Sequence, residues 1–319
     1  TKKLFDVKNV CVDGARVGGK DGASEIVLDF TKKWGGTNMH KQEQLMSCIS
    51  SYNGLSCTFS VDELEVAFKS LRNLRKLDGS RRCIAVIRII FEKHPDFLIQ
   101  ALKAFSSCPR NFSAEIILGR VYGKEGREPP PHECRAILPL SSILCIIDVV
   151  LANRVLLFCD SAFQLKPWVY VGARPKTQCL DIGHHLHLCI EAGLDSKSQG
   201  GISQSDIRRF FDSINVVLVA RMLQARGLPA CICACIVQHQ MLPQVWLHVL
   251  GQSMLVKGRS IGSITGCRVA GALAVAIMSE SICACQDAWK IHSILPDATC
   301  CVFLCGGDNM FAAAKTLAG

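Results

Sequence analysis

The chain has 319 residues, of which 49% are hydrophobic and only 7% aromatic, and its formal net charge is +9 at pH 7. A chain of this length can bury a large aliphatic core and usually divides into two domains or subdomains. The positive charge suits a polyanionic partner, but it falls short of a histone-like tail and favours nucleic acid only modestly.

Helices are the first elements that the sequence predicts, after an N-terminal region without a clear motif. Residues 1–59 are basic at their start, and no role can be predicted for them. Ser60 and Glu63 form a capping-box signal, which predicts a helix that runs through Leu74. A further helix is predicted over residues 95–105.

Two apolar stretches, residues 138–158 and 261–278, are long enough to resemble membrane spans, the second only barely. The first contains Asp148 and the second contains Arg268, and both residues would be costly at bilayer depth. We therefore predict that neither stretch spans a membrane. The first is expected to be a buried helix, and the second a glycine-opened loop that leads into one.

Helical signals continue in the C-terminal half. His184, His185 and His187 lie on one predicted helix, but no Cys or acidic residue stands at a recognised zinc-site spacing. A solvent-facing helix surface is therefore favoured over a zinc site. The helix predicted over residues 218–226 is expected to end at Gly227.

The nineteen cysteines are scattered, and no Cys-x-x-Cys pair occurs, which excludes a zinc knuckle or a thioredoxin-like motif. We interpret them mainly as small apolar core residues. No charged and then apolar leader opens the sequence. An intracellular location, in the nucleus or the cytoplasm, is therefore expected.

Asp206 and Asp308 are the most informative acidic residues, because each follows a short segment that is typical of a strand. Two neighbouring buried carboxylates are costly unless a cation compensates them. Paired acids on adjacent strands are what a two-metal phosphoryl-transfer site needs. The alternative is that Asp206 caps a helix and that Asp308 lies in a hairpin turn, and spacing alone does not decide between the two.

The segment around Asp206 resembles the first palm motif of reverse transcriptases of the group II intron and non-LTR retrotransposon type. There a metal-binding Asp is followed five residues later by an aromatic residue and then by Asp, as Asp206, Phe211 and Asp212 are here. Four further segments match the family in its order, and Lys76–Gly79 is a weaker echo of an upstream Gly-Asp-Gly turn. The four segments contain Arg135 and Ile137; Gly172, Arg174 and Pro175; Lys257, Gly258 and Gly262; and Gly306, Asp308 and Asn309.

This resemblance implies an α+β fold with the fingers and palm of a right-hand polymerase, in which a small antiparallel palm sheet is backed by helices. The expected domains are the N-terminal region 1–59, a fingers-like subdomain 60–199 and a palm-like subdomain 200–319. Since only 11 residues follow Asp308, we expect that the thumb is absent and that the isolated chain has little or no polymerase activity.

The implied activity is template-directed nucleotidyl transfer to a primer 3′-hydroxyl, with an RNA template, a DNA primer and deoxynucleoside triphosphates. Asp206 and Asp308 would be catalytic and would hold two Mg²⁺ ions, or Mn²⁺, with the Ile207 carbonyl and Asn309. By the same resemblance, Arg135, Phe211 and Gly262 would contact the nucleotide, whereas Arg174, Lys257 and Arg259 would contact template or primer.

Phe211 would exclude a ribose 2′-hydroxyl, provided that the strand ends or bends between it and Asp206, because strict alternation would place the two on opposite faces. Ser260 and Ile261 replace Pro-Gln of the family pattern, Gly306 replaces its Tyr, and Asn309 its second Asp. Two alternatives stay open: a viral-type RNA-dependent RNA polymerase, and a degenerate palm that binds nucleic acid or an unknown protein partner without catalysis.

Overall fold

The structure, a computed structural model, describes residues 4–71, 75, 77–78, 81–124, 126–163, 184, 187–188, 190–191, 194–195, 200–207, 209–292, 299–305 and 309–315. Only the backbone is described for residues 200–206, 285–292, 299–305 and 309–315. The chain divides into two compact units, Thr1–Leu151 with Asp212–Ala270, and Ala152–Phe211 with Gly271–Gly319. These units do not test the functional subdomains expected above, which stay a prediction.

Helices make up most of the described residues, and two of their boundaries follow the sequence signals closely. The capping box is present at Ser60 and Glu63, and Gly227 ends a helix with a φ of +106°. The helix that begins after Ser60 ends at Ser70 rather than Leu74, because Leu71 is already extended. The described helices are α1 (Gly19–Lys33), α2 (Met39–Ser51), α3 (Val61–Ser70), α4 (Ile84–Lys93), α5 (Pro95–Ser106), α6 (Pro109–Ser113), α7 (Ser142–Ala162), α8 (Phe210–Ser213), α9 (Val216–Ala225), α10 (Ala230–Met241) and α11 (Arg268–His292).

The first unit contains a mixed five-stranded sheet and a separate two-stranded ribbon. The strands of this unit are β1 (Phe5–Asp6), β2 (Val10–Val12), β3 (Ala15–Val17), β4 (Ile116–Gly123), β5 (Cys134–Ile137), β7 (Gln244–Val249) and β8 (Gln252–Leu255). Strand β4 lies at the centre of the sheet, where it pairs in parallel with β7 and antiparallel with β1 and β5, and β8 extends the sheet beyond β7. The ribbon joins β2 to β3.

The second unit contains an antiparallel three-stranded sheet in the order β6 (Gly200–Asp206), β10 (Asn309–Lys315), β9 (Thr299–Cys305). The strand that ends at Asp206 therefore pairs antiparallel with the strand that begins after Asp308, as expected. The coarse fold class is confirmed: the protein is α+β, with a mixed sheet backed by helices.

Buried apolar helices form the core of the first unit. In α10 every residue from Cys233 to Met241 is buried, and Leu144, Ile147 and Leu151 of α7 are fully buried. Among the described helices, only α7 is long and apolar enough to cross a membrane, and 61% of its most apolar window is buried. A core helix passes that test of length and composition equally well.

The cysteines with described side chains number thirteen, and none of these forms a disulfide. Six of them, including Cys233 and Cys235, are buried core residues, and the other seven are part-exposed. His184 and His187 are exposed, and His187 Nε2 lies 3.1 Å from Glu191 Oε1, whereas His185 lies outside the described residues.

Candidate functional site

The strand register brings two of the predicted metal ligands to opposite positions. Asp206, the last residue of β6, stands opposite Asn309, the first residue of β10, and Asn309 also stands opposite Cys305 of β9. Opposite residues of an antiparallel pair have Cα atoms about 4.5–5.5 Å apart. Asp308 immediately precedes Asn309 in the chain but lies outside the described residues.

The chain bends between Asp206 and Phe211, as the assignment of Phe211 required. Strand β6 ends at Asp206, Arg209 has a φ of +55°, and helix α8 begins at Phe210. Strand alternation therefore does not relate the two residues. Phe210 is buried and Phe211 is part-exposed, with their ring centroids 5.4 Å apart, so Phe210 is the core residue of the pair.

The other predicted contacts occupy varied environments. Arg135 is exposed on β5, Lys257 is exposed on the loop after β8, and Ile207 directly follows β6. Arg174 lies outside the described residues. For these residues the predicted contacts with nucleotide, template or metal stay predictions.

Gly262 allows a close approach inside the protein. Its φ is +82°, and a Cβ atom there would stand 2.8 Å from Trp34 Cδ1 and 3.1 Å from the Asp212 carbonyl oxygen. Its N–H donates to the Ile214 carbonyl at 2.8 Å. Trp34, Asp212 and Ile214 all belong to the same unit as Gly262, so glycine is needed here for packing, whatever its role towards a base pair.

Residues 257–262 form a loop, here called the Trp34 loop, that is fixed against the N-terminal region. The Trp34 carbonyl accepts the Ser260 N–H at 2.8 Å, and the Ser260 hydroxyl donates to the Gly35 carbonyl at 3.1 Å. The Trp34 indole N–H donates to Asp212 Oδ1 at 2.9 Å. The N-terminal region, for which the sequence predicted no role, thus holds the loop that carries three predicted contact residues.

Arg259 belongs to the Trp34 loop and is part-exposed as a whole residue. Its guanidinium carbon is 5.9 Å from the Trp34 ring centroid. Its Nε and Nη2 atoms are buried and have no hydrogen-bond partner among the described residues. Burial lowers the pKa of Arg259 to about 10. A buried guanidinium with two unpaired donors is an unfavourable arrangement for stability.

Asp148 is a structural carboxylate that sequence reasoning treated only as an obstacle to membrane insertion. Its side chain is 4% exposed and accepts the N–H groups of Arg268 at 2.8 Å and Val269 at 3.0 Å. These N–H groups belong to the first turn of α11, whose partial positive charge favours a carboxylate. Asp148 of α7 therefore caps α11 from a distance of 120 residues in the sequence.

A chain of hydrogen bonds continues beside this cap. His239 Nε2 lies 3.1 Å from the Leu144 carbonyl, and Gln240 Nε2 lies 2.9 Å from His239 Nδ1. Gln240 also accepts the Ile264 N–H at 2.8 Å and donates to Cys267 Sγ at 3.2 Å. These contacts suit a neutral His239 that donates from Nε2, and burial lowers the pKa of His239 accordingly. Burial likewise raises the pKa of Cys267.

Within the described part of the chain, no three His, Cys, Asp or Glu residues gather as a metal site would require. Asp308 and the side chain of Asp206 lie outside that part. The Trp34 contacts were missed because their partners are 178 residues apart, although a tryptophan followed by two glycines in a polar segment was a signal of close packing. Compared with models of known protein families and with curated proteins, the chain matches none.

Proposed function

We propose that the chain is a reverse transcriptase-like domain with fingers and palm, which transfers deoxynucleotides to a primer 3′-hydroxyl as directed by an RNA template. The proposed catalytic carboxylates are Asp206 and Asp308. The same proposal includes the RNA template, the DNA primer and deoxynucleoside triphosphates as partners, and an intracellular location.

The observation that carries the proposal is the register of the three-stranded sheet. Asp206 ends one strand, and Asn309, directly after Asp308, begins the neighbouring strand opposite it. Asp206 and Asn309 belong to two different motif segments of the resemblance and are 103 residues apart in the sequence. Nothing in the local sequence requires these segments to meet. Their pairing is what two acids must have if they are to share cations.

The donor set suits magnesium. Carboxylates from Asp206 and Asp308, the Asn309 amide oxygen and the Ile207 carbonyl are all hard oxygen ligands, and magnesium takes few protein ligands because waters and phosphates complete its shell. Bound there, two cations would lower the pKa of the primer hydroxyl and neutralise charge on the nucleotide phosphates.

The chain's own residues would supply selectivity and orientation. The part-exposed Phe211 ring would leave no room for a ribose 2′-hydroxyl and so favour deoxynucleotides. The exposed Arg135 guanidinium has the fork geometry that binds a triphosphate. Asn309 brings no charge where the family has a second Asp, so we expect weak cation binding and low activity.

Manganese binding, followed by the electron paramagnetic resonance signal of free Mn²⁺, tests the proposal without requiring turnover. We expect Asp206→Asn to weaken Mn²⁺ affinity at least about tenfold, since even outer ligands cost about 10- to 100-fold. Asp212→Asn is the matched control: it removes the same charge six residues away and should leave Mn²⁺ affinity unchanged. Circular dichroism checks that both variants fold.

Two results would replace the proposal by its alternatives. A wild-type chain that binds no Mn²⁺, or whose affinity Asp206→Asn leaves unchanged, would favour the non-catalytic palm. If primer extension is measurable, Phe211→Val should admit ribonucleotides. Equal use of ribonucleotides by the wild-type chain would favour the RNA-dependent RNA polymerase.

A further inference from the structure

The mixed sheet of the first unit leaves one face open to solvent. Along β4 the residues alternate, with Ile117 and Val121 buried and Ile116 and Leu118 41% and 44% exposed. Ile137 of β5, on the same open side, is 45% exposed. An open face with several large exposed side chains is unusual for a sheet that only supports a core, and such patches mark interaction sites.

The strand register shows which side chains share this face. Arg120 stands between Ile137 of β5 and His248 of β7, and Leu118 stands beside Trp246. Tyr122 lies opposite Arg135 on one side and Asp6 on the other. We call this surface the open sheet face; it comprises Ile116, Leu118, Arg120, Tyr122, Arg135, Ile137, Gln244, Trp246, His248, Ser253, Leu255 and Asp6.

The charge on the open sheet face is positive. Arg120 and Arg135 are exposed, and neither has an ion-pair partner in the part of the chain that the structure describes. His248 is exposed and lies 3.0 Å from the Ser253 hydroxyl. Among the twelve residues that define the face, the one carboxylate belongs to Asp6, at the corner beside Tyr122. A polyanion complements this pattern, in keeping with the chain's net charge of +9.

Aromatic and basic residues alternate along the open sheet face. Trp246 is level with Leu118, Arg120 is two residues further along β4, and Tyr122 is two residues beyond that. Four strand residues span roughly 13 Å, so a chain that crosses from Trp246 to Tyr122 must pass Arg120. Both aromatic side chains are part-exposed. Alternating ring and guanidinium groups suit a ligand with alternating bases and phosphates.

We propose that the open sheet face binds single-stranded nucleic acid, with bases stacked on Trp246 and Tyr122 and phosphates held by Arg120 and Arg135. This inference shares Arg135 with the proposed polymerase, but it needs no metal and does not involve Asp206, which belongs to the other unit. A duplex keeps its bases stacked inside and offers only phosphates, so the face prefers an unpaired strand. A second copy of the chain fits less well, because two positive faces would repel each other.

The test measures the binding of the full chain to a labelled oligo-uridine strand by fluorescence anisotropy, in buffer with a chelator and over a range of salt. Trp246→Ala is expected to weaken binding about 5- to 150-fold, the effect of losing one stacked base. Trp246→Phe should restore most of the affinity. Asp206→Asn should change nothing, so failure of the proposed polymerase site is separable from failure of this site.

Arginine variants test the role of the phosphates. Arg120→Gln combined with Arg135→Gln should weaken binding and flatten the slope of log affinity against log salt by about 1.4, or about 0.7 for each phosphate that an arginine no longer neutralises. Arg88→Gln, which removes an exposed arginine from α4 outside the face, is the matched control and should do neither.

Four outcomes would overturn the inference. The first is a duplex of the same length that binds as tightly as the single strand, which would leave only nonspecific charge attraction. The second is wild-type binding by both Trp246→Ala and Tyr122→Leu in variants that fold normally. The third is a dimer in light scattering that Trp246→Ala dissociates, and the fourth is displacement of the strand by anionic vesicles. Either of these two results would assign the face to a different occupant.

Discussion

The Trp34 loop was predicted to contact nucleotide and template, and the strand pair that carries Asp206 was predicted to hold metal ions, but different interactions hold the two in place. The loop is held by side-chain and backbone contacts to Trp34, Gly35 and Asp212, so its conformation depends on residues that are distant in the sequence. The strand pair is held by a backbone ladder of seven paired positions, which depends little on side-chain identity. Substitutions in the loop should therefore lower the free energy of unfolding strongly, whereas substitutions in the strand pair should mainly weaken metal binding.

The largest loss of stability is expected for a substitution of Gly262, which lies in the Trp34 loop. Gly262→Ala must accept a φ of +82° and place a Cβ atom against Trp34. Left-handed backbone costs about 1–2 kcal/mol and overpacking about 1–3 kcal/mol, so we expect a loss of roughly 2–5 kcal/mol in the free energy of unfolding. Urea denaturation followed by circular dichroism measures it.

Gly266 supplies a matched control for that substitution. It has a similar φ of +91°, but a Cβ atom there would meet nothing within 4 Å. Gly266→Ala should therefore cost only the backbone contribution, roughly 1–2 kcal/mol. Equal losses for the two variants would mean that contact with Trp34 does not hold the loop.

The second effect concerns Asp148, which anchors α11 from another helix. Asp148→Asn replaces one acceptor oxygen by an amide group that cannot accept the backbone N–H. Since a hydrogen bond to a charged group contributes about 1.5–3 kcal/mol, we expect a loss of about 3 kcal/mol in denaturation experiments. Asp62→Asn is the control, because Asp62 also lies in the first turn of a helix but is exposed, and should cost about 0.3–1 kcal/mol. Similar losses of stability in the two variants would show that Asp148 stabilises α11 only through the helix dipole.

Local signals predicted local structure well. The Ser60 capping box marked the start of α3, and Gly227 marked the end of α9, because both act within one helical turn. The parallel pairing of β4 with β7 could not be predicted, since it joins residues more than 120 positions apart that carry no complementary local pattern. The antiparallel meeting of the strands at Asp206 and Asn309 was expected only from the family resemblance. Trp34 with its two following glycines signalled close packing, but nothing in the sequence identified residues 257–262 as the loop that packs against it.

A third prediction concerns pH, through His239. Burial lowers the pKa of His239 and outweighs the nearby Asp148 carboxylate and the Leu144 hydrogen bond, which raise it, while Arg259 lowers it further. The folded protein therefore keeps His239 neutral where the unfolded chain binds a proton. The unfolded state then holds more protons below about pH 6.5, and stability falls as pH drops, by up to about 1.4 kcal/mol per pH unit.

Denaturation midpoints between pH 7 and about pH 5 measure this dependence on the acid side of the histidine range. His239→Gln should remove most of the slope that this residue contributes, at a lower absolute stability. His248→Gln, which changes an exposed histidine, should keep the slope of the wild type. A slope that survives in His239→Gln would assign the pH dependence to other groups.

The smallest effect is expected at Arg259, and its sign is opposite to the others. Two buried donors of its guanidinium have no hydrogen-bond partner among the described residues, and the Trp34 ring offsets part of that cost. Arg259→Met removes the unpaired charge but keeps a long apolar side chain, so we expect the free energy of unfolding to rise by about 1 kcal/mol. Arg88→Met, at an exposed and ion-paired position, should change it by less than about 0.5 kcal/mol.

If Arg259→Met gains stability but loses affinity for nucleic acid, the unfavourable burial of this arginine is maintained for binding. A loss of stability would instead show that its contact with Trp34 outweighs the unpaired donors, and the Trp34 loop would then need no ligand to explain Arg259.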